Sequence, residues 1–281
     1  MHRVVRERSV FPSNRELEVT PEYLEHLILD CRQRGYRFVS MDGLMACMNT
    51  RRWDFRKKKR VVVTFDDGFR DVYDNAYPIL KKYNVPFTVY LVSDFPEGKA
   101  DIWWIQLEKE TSNSSRTLTT HYWERTESGL GAEPEQETIE KFEKTIELIY
   151  QSPQNMREVM HEMTDSTADL DLCKELALSW EQLREMVDSG LCTVGGHSKT
   201  HSGLTRISKE DTICELTESK KVIESHLLVK VKHFSSPHSM EDENIRSLIK
   251  EAGYETAVIG YGGSVRRGDD LYRLKRKYMV I

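Results

Sequence analysis

The sequence predicts an α/β fold built on a parallel sheet, either a barrel or a doubly wound sheet, and three observations carry that prediction. A strand, a helix and a second strand follow one another between Val61 and Val92, the pattern of a βαβ unit. The same alternation returns from Ser179 to Ile259. Residues with chemical potential stand at two predicted strand ends, Asp66-Asp67-Gly68 and Gly195-Gly196-His197, where ligands gather in such folds.

A chain of 281 residues suffices for one barrel or two small domains. With 46 acidic against 41 basic side chains, a formal charge of -5 and a pI near 6.0, it lacks a nucleic-acid footprint. Apolar runs of about 18 residues, the length of a membrane span, are absent. The basic stretch 1–8 lacks the apolar core of a signal peptide. Five cysteines are dispersed without CxxC spacing, as expected of reduced thiols. These features favour a cytoplasmic location over the cell envelope, unless a leader has been removed.

Taken in order, residues 1–5 read as a short strand and 6–19 as a polar loop. Thr20 then caps a helix that has Pro21 at its first position. Leu24, Leu27, Ile28 and Cys31 give it an apolar face, and Gly35 ends it. A short strand at 36–39, a short helix at 42–48 and a basic linker at 51–60 lead to the central strand. Tyr73, Ala76, Tyr77 and Leu80 mark the next helix, and 87–92 the next strand. Residues 97–175 break the alternation and read as a mainly helical insertion on the rim of a single domain spanning 1–281. Its Trp103 and Trp104 either pack in the core or line a substrate groove, with core packing the commoner use. Ser179 and Gln182 form a capping box, and 192–196 is a strand. Residues 208–227 form a long helix with Ile213, Leu216, Ile223 and Leu227 on one side. Strands at 231–235 and 256–259 flank a helix at 241–253, and the tail from 271 is β-prone.

The chemistry concentrates in two stretches. Adjacent carboxylates at a strand end repel unless a cation or proton offsets them; the plainer alternative is a solvated turn. His197 and His201 stand four apart beside two glycines, which would let an ion or ligand approach the backbone. Three such ligands plus an open position describe a catalytic metal site.

Thr64 to Gly68 and His197 to His201 resemble the first two motifs of the polysaccharide deacetylase family, the NodB-like carbohydrate esterases. The likeness covers about 59–95 and 178–281, more loosely 1–50, and leaves out most of the insertion. It implies a distorted (β/α) barrel. It further implies Asp66 as general base, and Asp67, His197 and His201 as ligands of one divalent ion, usually zinc, sometimes cobalt or manganese. The implied reaction removes an acyl group, most often acetyl, from an amino sugar in an N-acetylated glycan or glycolipid. Two departures matter. Ser235 stands where the third motif carries the Arg that orients the base, although Pro237 fits the motif's proline and a substrate-contacting place. The fifth motif's Leu-His pair is missing, the tail resembling a branch that ends in an Arg-containing strand. His238 and His2 are therefore the candidate general acids. A metal-retaining glycan binder without turnover and a hydrolase of a small non-sugar amide are the rival readings.

Overall fold

The computed structural model describes residues 1–48, 59–113, 136–151 and 169–277. Two short parallel pairs come first, β1 (Arg3–Val4) with β2 (Glu18–Val19), and β3 (Arg37–Phe38) with β4 (Arg60–Val61). The main sheet is β5 (Val63–Asp67), β6 (Phe87–Leu91), β7 (Cys192–Gly196), β8 (His233–Ser235), β9 (Thr256–Gly262) and β10 (Leu274–Arg276). All six are parallel, and their order in space is their order in the chain. Every crossover therefore advances the same way, which keeps the helices outside and curls the sheet into a half-barrel. A doubly wound sheet would reverse direction; this one does not.

Alternation along the strands divides the interior. Phe65, Val89, Val194 and Phe234 face outward onto helix residues such as Leu80, Leu183, Leu216 and Ile249, forming the largest core. Each large side chain so buried contributes about 1.5–3 kcal/mol. On the inner face, Tyr90, Val258 and Leu274 pack on Met41, Leu44 and Met45, so the helix Met41–Met48 plugs the inside. A third core lies above the strand ends, where Phe69, Phe95 and Phe11 meet Trp103, Trp104 and Phe142 of the insertion helices Trp103–Asn113 and Gln136–Gln151.

Local signals act where they were read. The Thr20 side chain accepts the Tyr23 N–H, and Ser179 and Gln182 form both halves of the capping box. Several expectations need correction. The stretch 6–19 is not all loop: Pro12–Arg15 is helical and Glu18–Val19 pairs with β1. The strand expected from Val61 is two strands, because Arg60 and Val61 pair with β3 before the chain turns into β5. On helix Lys209–Leu227, Leu216, Ile223 and Leu227 are buried but Ile213 is 40% exposed. Most of the basic linker and, within the insertion, residues 114–135 and 152–168 lie outside the described residues. Among those described, no helix is long and apolar enough to cross a membrane.

Candidate metal and catalytic site

Asp66 and Asp67 end β5, where alternation would send their carboxylates to opposite faces. Asp67 instead adopts a left-handed φ of 71°, which re-aims its side chain, and both carboxylates border one pocket. The turn is completed by Gly68 at φ 100°, where a Cβ would stand 2.4 Å from Leu91 Cδ1.

Asp67 Oδ1 lies 3.3 Å from His197 Nε2 and 3.3 Å from His201 Nε2. One donor atom from each of the three residues lies within 4.8 Å of the others. His197 Nδ1 is 2.6 Å from the Ser235 carbonyl oxygen, an acceptor, so Nδ1 carries the proton and Nε2 presents its lone pair to Asp67. Asp67 Oδ1 is itself buried without a hydrogen-bond partner. Lone pairs facing one another in a buried pocket call for a positive charge between them. A spacing of 3.3 Å also matches the edge, about 3.3 Å, of a tetrahedron with zinc-like bonds. The donor set thus fits a divalent ion. Burial raises the Asp67 carboxyl, but the His201 and His197 imidazoles outweigh it and hold it well below the carboxylate range. Burial lowers His197, yet Asp67 and Asp66 bring it above the ordinary imidazole value. That proton and a cation compete for one place.

Asp66 has a different partner. Arg276 Nη1 donates to Asp66 Oδ1 at 2.6 Å and Nη2 to Oδ2 at 2.6 Å, a bidentate pair joining the last strand of the sheet to the first. The same guanidinium donates to Ser235 Oγ at 3.1 Å and Thr64 Oγ1 at 3.2 Å. Burial raises Asp66, but Arg276, by charge and hydrogen bonding, holds it far below the usual range. The residue missing from position 235 is thus supplied from β10, and the small Ser235 side chain takes one of its hydrogen bonds. The Arg-containing tail was the sequence signal for this residue, but its distance from Asp66 along the chain hid the partnership.

Both candidate acids border the pocket. His2 Nε2 is 3.9 Å from Asp66 Oδ2, held there because Asp71 accepts hydrogen bonds from Arg3 Nε and the Val4 N–H. The His238 ring centroid lies 4.5 Å from that of His201. Burial lowers each imidazole to about 4. The tryptophans separate: Trp104 lines the pocket 5.2 Å from the His201 ring, whereas Trp103 packs in the core and does not. Consecutive helical residues point about 100° apart, so only one of such a pair faces a given site. Pro237 is buried under its turn and is not in the lining, which Ser236, His238 and Ser239 supply. Nor do Gly195 and Gly196 admit an ion. A Cβ at 195 would stand 2.6 Å from the Tyr90 ring, and one at 196 would stand 2.6 Å from the Tyr254 hydroxyl. Core aromatics need that space. Ser13, Asn14 and Leu17, from the stretch expected to be loop, complete the wall with Ile146 of the insertion.

A model of the polysaccharide deacetylase family matches residues 55–257. The Bacillus subtilis (strain 168) protein YxkH, which carries a provisional polysaccharide deacetylase name, is 32% identical over 219 residues. That match covers 78% of this chain but 51% of YxkH, so the chain spans about half the length of that relative. A Staphylococcus epidermidis poly-beta-1,6-N-acetyl-D-glucosamine N-deacetylase is 46% identical over 37 residues, 13% of each chain. Among solved structures, the Streptococcus pyogenes deacetylase PplD superposes with a TM-score of 0.65 at 17% identity, over 98% of this chain and 88% of that one. IcaB from Ammonifex degensii gives a TM-score of 0.62 at 19% identity, over 99% and 89%. These two share the fold. The fold and a family match over most of its length lead to one assignment: the chain belongs to the polysaccharide deacetylase family.

Proposed function

We propose that this site hydrolyses the N-acetyl group of an amino sugar in a glycan, with a divalent ion, most often zinc in this family, held by Asp67, His197 and His201. The observation that carries the reading is the second carboxylate. Asp66 does not join the ligand cluster but is kept ionised and oriented by the Arg276 fork, and an ionised carboxylate beside a metal site is what a general base requires. A bound cation would polarise the acetamide carbonyl and acidify a water molecule. Asp66 accepts the proton of the attacking water. His2 Nε2 lies 3.9 Å from Asp66 Oδ2, a separation one bridging water spans, so the proton can pass on to the imidazole. His2 is then the first candidate to protonate the leaving amine, and His238 the second.

The missing third-motif Arg and the missing Leu-His pair are the support for a binder without turnover; Arg276, paired with Asp66, answers the first of these. Trp104, Leu17 and Ile146 give the pocket apolar walls, and its volume of about 200 Å³ accommodates an N-acylated sugar residue. Since Trp104 and Ile146 belong to the segment 97–175, we read that segment as part of the catalytic unit.

The test is metal content first, by elemental analysis and zinc titration of chelator-stripped protein, then acetate release from N-acetylated glucosamine oligomers. About one ion per chain, lost in Asp67→Ala and in His201→Ala, supports the ligand set. Absence of binding at micromolar zinc overturns it.

A further inference from the structure

We infer that Glu215, which does not line the pocket, is a positioning residue that sets the loop carrying His201 and thereby the metal affinity of the site. The inference rests on the metal reading proposed above. The loop after β7 contains two non-glycine residues in the left-handed region, Ser198 at φ 64° and His201 at φ 69°. Such backbone persists only where its surroundings over-determine it. Three sets of contacts do so. On one side, the Ser93 N–H donates to the Ser198 carbonyl at 3.2 Å, and the Asp94 N–H to the Lys199 carbonyl at 3.0 Å. Within the loop, the His201 N–H donates to Ser198 Oγ at 3.0 Å. On the other side stands Glu215.

Glu215 Oε2 accepts the Lys199 N–H at 2.8 Å and the Thr200 N–H at 2.9 Å, while Oε1 accepts from Thr200 Oγ1 at 2.8 Å. The residue is 9% exposed and its three donors are neutral. Successive backbone N–H groups converging on one anion form a nest, and charge-assisted bonds of this kind are stronger than neutral ones. The carboxylate is fixed in turn, because its helix is anchored in the core by the adjacent Leu216 and by Ile223. One turn before it, Thr212 Oγ1 donates to the Leu204 carbonyl further along the same loop. A carboxylate in the outer layer thus decides whether His201 Nε2 stays 3.3 Å from Asp67 Oδ1.

The experiment compares zinc affinity, by chelator competition, in the wild type, Glu215→Ala and Glu215→Gln, alongside the visible spectrum of the cobalt-loaded proteins. Outer-layer partners of metal ligands typically govern about 10- to 100-fold in affinity, and Glu215→Ala is expected to lose that much and to change its cobalt spectrum. Glu215→Gln, which can offer its carbonyl oxygen to both N–H groups and its amide to Thr200 Oγ1, is expected to recover most of both. If Glu215→Ala does not fold, Thr200→Val serves, with an expected loss of about fivefold from the bond to Glu215, and Ser202→Ala controls for the Thr200 Oγ1 contact with Ser202 Oγ that the same variant removes. Wild-type affinity in Glu215→Ala, or in Thr200→Val where that variant decides, overturns the inference while the metal reading stands. Failure of the wild type to bind zinc overturns both.

Discussion

Replacing Arg276 separates the base from the main group that keeps it charged. In the native fold Asp66 is depressed by the guanidinium against the opposing effect of burial. Its contribution to stability is therefore present above the unfolded carboxyl value, about 3.9, and lost as pH falls through the lower folded value. Arg276→Ala removes two 2.6 Å charge-assisted bonds and leaves a carboxylate with 5% side-chain exposure unpaired. Breaking such a pair costs about 3–5 kcal/mol, and the 17% exposure of Arg276 favours the lower end. Burial is then opposed only by the His197 and His2 imidazoles, so the Asp66 carboxyl rises from its depressed value and the acid limb of the pH–rate profile moves up with it. Arg276→Lys keeps a charge but not the fork. Losing one bond to an ion, about 1.5–3 kcal/mol, lowers kcat/KM by about 10- to 100-fold. Urea denaturation across pH reads the stability change without a substrate, and acetate release reads the rate. An Arg276→Ala protein with wild-type stability at pH 7 and an unmoved acid limb would refute the pairing as the source of the base.

Three further outcomes follow from the same geometry. Asp66→Asn should keep the metal and abolish turnover, since it removes the base and no ligand; measurable acetate release at unchanged metal content would reassign the base. Gly195→Ala should destabilise by about 1–3 kcal/mol, because its Cβ would stand 2.6 Å from the Tyr90 ring and 2.7 Å from the His233 carbonyl oxygen; an unchanged thermal midpoint would contradict the close approach. His233 is fully buried, with Nδ1 2.8 Å from Thr256 Oγ1, and burial lowers its pKa despite Asp42. The unfolded chain binds that proton more readily, so the stability it contributes is complete above about pH 6.5 and declines as pH falls toward the lowered folded value. That part of the decline should vanish in His233→Gln, and an identical pH dependence in the two proteins would exclude it.

Much of this was legible in the sequence because it depends on neighbours. β-Branched runs ending in Asp-Asp-Gly and Gly-Gly-His, capping residues at Thr20 and Ser179, and repeated strand–helix alternation are signals spanning a few residues. They sufficed for the parallel sheet and for grouping the two aspartates with His197 and His201 at strand ends; the family resemblance added the barrel and singled out Asp67 as the ligand. The roles of Gly195 and Gly196 were misread because the aromatics that claim their space, Tyr90 and Tyr254, come from elsewhere in the chain. Trp103 and Trp104 look equivalent in sequence, and only the docking angle of their helix directs Trp104 to the pocket. The stretch 11–17 looks like loop until packing against the insertion makes it a wall. The curl of the sheet decided the rest. It brings Arg276 onto Asp66 across 210 positions, and a convergence of strand ends in space leaves no periodicity in the chain. The left-handed turn at Asp67 likewise comes from tertiary packing, since a strand pattern alone would have pointed the two carboxylates apart.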